Sequence, residues 1–206
     1  MISRYAQNIM RQLVILIAVI CTANIRTYSQ DCLKADIILI ADMSSSVRGY
    51  ELFMADALDA FVDRFGSSGD IRFGMIMFGD GINNYLSLTT DRKVLKEQTK
   101  IVRNSRAWSK QTNLYIALNL ARKDFMEHSY GSKRIIILIS DGHVNNASFS
   151  FDRAWELRQQ LQVIICGILI NNSMAKSDYM KSISDIYVST SFESLAQKLK
   201  NLEYCL

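Results

Sequence analysis

The sequence predicts an α/β protein in which an open, mostly parallel sheet lies between two layers of helices. Two observations support this prediction. Short apolar runs alternate along the chain with longer segments that have the spacing of amphipathic helices. The runs DIILIAD and KRIIILISDG are almost continuously apolar, as expected for strands that are buried on both faces of a parallel sheet. The 206 residues are enough for one domain with a large hydrophobic core.

Six segments are predicted to be strands, and the third is a short hairpin partner of the second because the turn sequence DGINN separates them. Cys166 lies within the fifth strand and is interpreted as a small core residue. The predicted strands are Asp36–Asp42, Ile71–Asp80, Tyr85–Leu88, Lys133–Gly142, Gln162–Ile170 and Asp185–Ser189.

Six segments are predicted to be helices, and two of them have a clear apolar face. On the first helix this face comprises Leu52, Ala55, Leu58, Phe61, Val62 and Phe65; on the third it comprises Leu114, Ala117, Leu118, Ala121 and Phe125. The predicted helices are Arg48–Phe65, Asp91–Val102, Thr112–Glu127, Asp152–Gln160, Met174–Ser184 and Phe192–Leu206. In such folds, ligands bind beyond the carboxyl ends of the parallel strands.

The first residues have the pattern of a secretory signal. Arg4 and Arg11 precede the apolar stretch Leu13–Ile20, and a polar segment follows. The stretch is short for a membrane span, which needs about 20 residues. We therefore predict a signal peptide at residues 1–29, a secreted domain at residues 30–206 and no membrane span after cleavage. An uncleaved anchor and a lipoprotein attached at Cys21 are the alternatives, and the bulky Ile20 disfavours the second.

The charge pattern gives no indication of nucleic-acid binding. The chain has 24 basic and 20 acidic residues, a net charge of +4. Three of the basic residues, Arg4, Arg11 and Arg26, lie in the predicted leader, which contains no acidic residue. Without the leader, 21 basic residues face 20 acidic ones, so we expect no cationic surface.

Oxygen-bearing side chains follow the buried strands. Asp42 and Asp141 stand near the ends of two strands, Ser44 and Ser46 alternate in the loop after Asp42, and Thr112 precedes the long helix. Two carboxylates and three hydroxyls form an all-oxygen site, which is typical of a hard divalent cation such as Mg²⁺. Neutral hydroxyl ligands leave the ion with positive charge, so it is expected to attract an acidic ligand from a partner.

Each of these groups alone has a simpler explanation. Asp42 and the serines can cap the next helix, Thr112 can be a helix N-cap, and Asp141 with Gly142 can form a turn. The occurrence of all three groups at strand and helix ends favours the metal site.

These groups resemble three motifs of one known family. DMSSS matches the D-x-S-x-S motif of the von Willebrand factor type A (vWA) domain, TNLYIAL is similar to the family's T-N element, and LISDG is similar to its fourth-strand aspartate. The resemblance extends from about residue 31 to the end. One departure is visible: many relatives have glycine before the threonine, whereas this chain has Lys110 and Gln111.

The resemblance implies a metal ion-dependent adhesion site (MIDAS) and a sheet of strand order 3-2-1-4-5-6 with an antiparallel strand at one edge. Ser44, Ser46 and Thr112 would bind the metal directly, and Asp42 and Asp141 would act mainly through water. The expected ion is Mg²⁺, with Mn²⁺ or Ca²⁺ as alternatives. The expected partner is an extracellular-matrix or cell-surface protein that presents an acidic residue. Ser45 has no role in this scheme.

Cysteine placement predicts one disulfide. Cys32 and Cys205 lie at the two ends of the predicted mature domain, and in an oxidising compartment they are expected to pair. Two unpaired thiols are the alternative.

Catalysis is not expected. Ser44 has no evident histidine partner, because His128 is predicted near the far end of a helix and His143 is interpreted as an exposed loop residue. The alternative for His143 is that it lines the metal face, since it follows Asp141 by two residues. The leading hypothesis is a secreted adhesion or protein-binding module. The alternatives are an extracellular structural or matrix component whose interface lies away from the metal, and a metal-dependent hydrolase.

Three further residues are noted. Trp108 is either a partner-binding aromatic residue or packs beneath its loop, and Asn146 and Asn171 lie in N-x-S glycosylation sequons.

Overall fold

The computed structural model describes residues 34–65, 70–105, 109–130, 133–170 and 177–201. The predictions for the leader, Cys32, Cys205, Trp108 and Asn171 lie outside these residues. The described residues contain a six-stranded sheet of order β3-β2-β1-β4-β5-β6. Its strands are β1 (Ala35–Asp42), β2 (Ile71–Phe78), β3 (Ile82–Thr89), β4 (Lys133–Ser140), β5 (Val163–Ile170) and β6 (Ile186–Thr190).

Four of the five strand pairings are parallel, and only β3 pairs antiparallel, with β2 at one edge of the sheet. The predicted fold class, strand order and antiparallel edge are therefore confirmed. All eight residues of β1 are buried, which agrees with its continuous Ile and Leu run and its central position.

Helices pack against both faces of the sheet. On one face, an apolar cluster joins Ile38, Ile40 and Phe78 of the sheet to α3, α4 and α5. On the other face, α1 packs against α2 and α6, and the Phe61 ring of α1 meets the Phe73 ring of β2 edge-on. No described helix has the length and apolar character that a membrane span requires. The described helices are α1 (Glu51–Phe65), α2 (Arg92–Asn104), α3 (Leu114–His128), α4 (Ala147–Leu161), α5 (Ser177–Ile183) and α6 (Phe192–Lys200).

Some element bounds and one buried face differ from the predictions. A 3₁₀ turn at Ser45–Val47 and Gly49, whose φ is 89°, precede α1, so this helix begins at Glu51. Leu52 is 56% exposed, and Met54 lies in the core in its place. In addition, α4 begins at residue 147 and β3 at residue 82, earlier than predicted. The apolar face predicted for α3 is confirmed, as is the burial of Cys166.

The register of the central strands determines what surrounds Asp42. Ala41 pairs with Ile139 of β4, so the next residue of β1, Asp42, is level with Ser140. On the other side, Asp42 pairs with Phe78, the last residue of β2. The chain order reverses between the neighbours of β1, so Asp42 lies at the switch point where ligands bind in sheets of this type.

A buried carboxylate attaches the edge strand to α3. Asp124 is 1% exposed and accepts hydrogen bonds from the Tyr85 hydroxyl (2.8 Å) and the backbone N–H of Leu88 (3.2 Å). A Cβ atom on Gly74 would lie 3.3 Å from Oδ2 of Asp124, which explains a glycine within β2. The Asp124 carboxylate therefore holds β3 at the edge of the sheet.

We expect Asp124→Ala to lower the free energy of unfolding by about 1–3 kcal/mol, because it leaves the Tyr85 hydroxyl and the Leu88 N–H without their acceptor. Urea unfolding followed by circular dichroism measures this. Asp152→Ala, at an exposed position of α4, is the matched control and should change the free energy by less than about 0.5 kcal/mol. Equal effects of the two substitutions would contradict the role given to Asp124.

Candidate metal site

Asp42 is held at the end of β1 by hydrogen-bond donors on two strands. Its Oδ1 accepts the backbone N–H of Ser44 (2.9 Å), and its Oδ2 accepts the hydroxyl of Ser140 (2.6 Å). The Ser140 hydroxyl in turn accepts the N–H of Gly142 (3.1 Å). The carboxylate of Asp42 is completely buried. These bonds fix its orientation at the sheet edge.

A second buried carboxylate lies beside the first. Asp141 follows β4 directly, is completely buried, and its Oδ1 accepts the N–H of His143 (3.0 Å). Burial raises the pKa of Asp42 to about 6, the negative charge of Asp141 adds to this rise, and the hydrogen bonds from Ser140 and Ser44 oppose it. A cation near the two carboxylates would offset both their desolvation and their mutual repulsion.

The two alternate serines face the same side of the loop after β1. The 3₁₀ turn at Ser45–Val47 brings Ser46 beside Ser44, and their hydroxyl oxygens lie 3.0 Å apart. Ser44 is almost fully buried, whereas Ser46 and Ser45 are exposed. The hydroxyls of Ser44 and Ser46 therefore lie together at the start of this loop.

Thr112 belongs to a segment, Ser109–Asn113, that is bound to the ends of three strands. In the loop that follows β1, the N–H of Ser45 donates a hydrogen bond to the carbonyl of Ser109 (2.8 Å). After β2, the carbonyl of Gly79 accepts the N–H of Asn113 (2.6 Å). After β4, Asn145 makes two bonds to Thr112: its Oδ1 accepts the Thr112 N–H and its own N–H donates to the Thr112 carbonyl, both at 2.8 Å.

Close packing at Gly79 sets the position of the same segment. A Cβ atom on Gly79 would lie 2.1 Å from the hydroxyl oxygen of Ser109 and 2.3 Å from its Cβ. Any larger residue at position 79 would therefore push the Ser109–Asn113 segment away from the sheet edge.

These elements enclose a pocket of about 220 Å³ that is lined mainly by polar residues. By volume it would hold roughly seven water molecules, which is enough for a hydrated cation and a ligand group. The described residues contain no cluster of three or more His, Cys, Asp or Glu side chains that could hold a metal, so the donors here are chiefly hydroxyl oxygens. The lining residues are Ser44, Ser45, Ser46, Lys110, Thr112, His143, Val144 and Asn145.

The residues fit a hard divalent cation. Ser44, Ser46 and Thr112 all line this pocket, and Asp42 and Asp141 are buried at the adjoining strand ends. Hydroxyl oxygens with carboxylates behind them provide the oxygen donors that Mg²⁺ and Mn²⁺ prefer. The structure thus places four of the five predicted residues on the ends of β1 and β4 and the loops after them, and Asn145 brings the fifth, Thr112, to them.

The sequence-based interpretation of His143 as an exposed loop residue is wrong. His143 is partly buried and lines the pocket, because its N–H bond to Asp141 turns the loop inward. Three positioning residues were also missed: Ser140, Asn145 and Ser109. Ser140 precedes Asp141 directly, so its place at the strand end was visible in the sequence. The other two act through contacts between distant loops and left no local signal.

Comparison with known proteins identifies the family. The model of the von Willebrand factor type A domain matches residues 36–202. This chain belongs to the vWA domain family. Apart from Ala35, the first residue of β1, the match covers the strands and helices described above and all five predicted site residues. A search of curated proteins found no match.

Solved structures share the fold of this vWA domain at low sequence identity. Proximal thread matrix protein 1 from the mussel byssus matches with a TM-score of 0.68 and 23% identity, over 82% of this chain and 46% of that one. The pilus adhesin SpaC from Lactobacillus rhamnosus GG matches with a TM-score of 0.69 and 13% identity, over 82% of this chain and 29% of that one. This chain therefore spans less than half the length of either protein.

A third match is manganese-loaded TRAP protein from Plasmodium vivax, with a TM-score of 0.66 and 18% identity, over 81% of this chain and 73% of that one. The mussel protein has also been solved with a zinc-occupied MIDAS motif.

We expect Asn145→Ala to weaken binding of Mn²⁺ about tenfold, because Thr112 loses a side-chain acceptor that positions it beside the serines. Isothermal titration calorimetry measures the affinity. Asn104→Ala is the matched control, because Asn104 is an exposed residue at the end of α2. Equal affinities of wild type and Asn145→Ala would show that Thr112 does not depend on this contact.

The serines provide a second prediction. Ser44→Ala or Ser46→Ala should weaken Mn²⁺ binding, since each removes a hydroxyl from the pocket, whereas Ser45→Gly should leave it within about twofold because it keeps the backbone N–H that binds Ser109. The same calorimetric titration tests all three variants. A loss of affinity in Ser45→Gly as large as in Ser44→Ala would contradict the assignment.

Proposed function

We propose that this vWA domain is a secreted adhesion or protein-binding module that holds a divalent cation and binds its partner through it. Ser44, Ser46 and Thr112 bind the ion directly, and Asp42 and Asp141 act mainly through water. The ion supplies a positive charge with an open coordination position, and an acidic residue of the partner protein occupies that position.

One observation carries this proposal. The hydroxyls of Ser44 and Ser46 and that of the distant Thr112 line the same pocket, and two completely buried carboxylates lie at the strand ends behind them. Burying carboxylates is costly unless a positive charge or hydrogen bonds compensate them. A divalent ion in the pocket provides that compensation.

The metals in related structures support a divalent cation. The TRAP structure is manganese-loaded, and the mussel protein has zinc in its MIDAS motif. For this chain we propose Mg²⁺ first, with Mn²⁺ or Ca²⁺ as alternatives, because the donors are all oxygens. The buried hydroxyls and carboxylates resemble hard-ion sites more than the nitrogen and sulfur sites typical of zinc.

An extracellular location is part of the proposal. The similar structures include a byssus matrix protein and pilus adhesins, which act outside cells. The predicted signal peptide at residues 1–29 agrees with this location. In an extracellular setting, the proposed Cys32–Cys205 disulfide would close the domain, and matrix or cell-surface proteins are the expected partners.

We propose that the domain has no catalytic activity. The hydroxyl of Ser44 bonds to that of Ser46. A second serine, Ser87, lies near His128 and Asp124, but both contacts use the same histidine nitrogen, Nδ1 (3.3 and 2.8 Å). A catalytic triad needs the two ring nitrogens to serve different partners. Turnover of ester or phosphoester substrates by the purified domain would contradict this proposal.

A matrix component with an interface away from the metal is the second candidate. One surface favours it: Phe151 and Trp155 lie one turn apart on α4 and are 43% and 52% exposed. The mussel relative is itself a thread matrix protein. Under this hypothesis the cation only stabilises the fold.

Partner capture with and without metal tests the leading proposal. The purified domain is immobilised and exposed to the proteins of its native secretion, in Mg²⁺ or in EDTA. We expect capture in Mg²⁺, at least a tenfold loss in EDTA, and the same loss for Asp42→Ala in Mg²⁺. Thermal melting should also rise in Mg²⁺ for wild type, since an ion that binds only the folded state stabilises it. No effect of metal on capture or melting would overturn the proposal.

The same assay separates the two candidates. Trp155→Ala should leave capture unchanged if the partner binds at the metal. If Trp155→Ala abolishes capture while Asp42→Ala retains it, the interface lies on α4 and the matrix hypothesis is correct.

A further inference from the structure

Two side chains in the pocket remain unexplained by the metal site. Lys110 and His143 line the pocket together with Ser44 and Thr112, but neither belongs to the proposed set of metal ligands. They come from different loops, one before α3 and one after β4. The Thr112–Asn145 hydrogen bonds join these two loops, so both side chains are held near the same opening.

Lys110 brings a free positive charge to the pocket. Its side chain is exposed, and in the part of the chain that the structure describes it makes no ion pair. By contrast, the Lys96 ammonium pairs with Asp59 (3.1 Å). The Lys110 ammonium is therefore available to a ligand.

His143 brings an unused hydrogen-bonding atom. Its Nε2 is buried and has no hydrogen-bond partner among the described residues. Leaving a buried polar atom unpaired is costly. Protein atoms cover Nε2 in this conformation, so the His143 ring must turn within its loop to present Nε2 to a ligand in the pocket. The bond from the His143 N–H to Asp141 keeps the residue beside the carboxylates (3.0 Å).

The charges of the pocket indicate which ligand would suit these groups. Asp42 and Asp141 already place two carboxylates behind the ion, so a partner carboxylate would add a further negative charge to the site. The ammonium of Lys110 balances it. A carboxylate that gives one oxygen to the metal also has a second oxygen, which needs donors.

The geometry points to a two-point carboxylate site, in which one oxygen of the partner's acidic side chain binds the metal and the other accepts hydrogen bonds from Lys110 Nζ and His143 Nε2. This inference rests on the proposed function and specifies its ligand as a carboxylate bound at both oxygens. Lys110 is then a specificity-determining residue of this chain.

Acetate is a suitable probe, with Mn²⁺ as the metal. Water-proton relaxation reports the water molecules on protein-bound Mn²⁺, and acetate lowers the signal as it displaces one. Each variant is titrated first with Mn²⁺ and then, at saturating Mn²⁺, with acetate. This gives a metal affinity and a carboxylate affinity separately, with no partner protein required.

We expect Lys110→Gln to weaken acetate binding about three- to fivefold. Its Mn²⁺ affinity should stay unchanged or rise, because a positive charge near the ion has been removed. His143→Ala should weaken acetate binding about fivefold, and His143→Gln should recover most of the loss because its amide can donate a hydrogen bond. Lys123→Gln, at an exposed lysine of α3, is the matched control and should match wild type in both titrations.

The outcomes separate this inference from the proposed function. If wild type does not bind Mn²⁺, both fail. If wild type binds Mn²⁺ and acetate, but Lys110→Gln and His143→Ala bind acetate as tightly as Lys123→Gln does, only the two-point site is overturned. It is also overturned if acetate has no effect on the Mn²⁺-loaded protein. The same holds if Lys110→Gln weakens Mn²⁺ binding and acetate binding equally, because that result indicates a structural role for Lys110.

Discussion

The site depends on a carboxylate that is buried at the carboxyl end of the central strand. Asp42 has neighbours on both sides of β1, so it cannot turn toward solvent without breaking its bonds to Ser44 and Ser140. With Asp141 beside it, the strand ends concentrate negative charge where burial makes that charge costly, and this raises the pKa of Asp42 to about 6. The hydrogen bonds offset part of the cost, and a cation at the pocket would offset the rest. The direct ligands are neutral hydroxyls and the carboxylates lie behind them, so the ion keeps positive charge on its outer side, which remains open to a partner.

The second requirement is that Thr112, far from Asp42 in sequence, reaches the same pocket. The ends of β1, β2 and β4 each hold the Ser109–Asn113 segment through backbone or amide hydrogen bonds. A strand buried on both faces cannot slip in register without exposing its apolar side chains, so its end is a rigid point of attachment. Because Gly79 has no side chain, the Ser109–Asn113 segment can pack closely against the end of β2. The hydrogen bond from the Thr112 N–H to Asn145 fixes the position of Thr112 relative to the loop after β4. Loops held in this way can present side chains with the accuracy that a metal site needs.

Much of the fold could be predicted from the sequence because its signals are local. The Ile and Leu runs of β1 and β4 and the apolar face of α3 indicate a parallel sheet covered by helices, and the resemblance to vWA domains supplies the strand order. Leu52 was misassigned because it lies one turn before the buried Ala55, at the edge of the apolar stripe of α1, and only packing shows that Met54 is buried and Leu52 is not. Asn145 and His143 were missed or misread for another reason. Their roles come from contacts between loops, which depend on which strands are neighbours and not on nearby residues.

Locating the bound metal in a crystal is the most direct test of the proposed metal site. Crystals of the domain soaked in Mn²⁺ and measured at the manganese absorption edge would show the ion by anomalous scattering. We expect one strong peak in the pocket, with the hydroxyl oxygens of Ser44, Ser46 and Thr112 within about 2.0–2.6 Å of it, and no peak there in crystals of Ser44→Ala. A pocket without manganese at saturating concentration, or a single ion bound elsewhere on the domain, would contradict it.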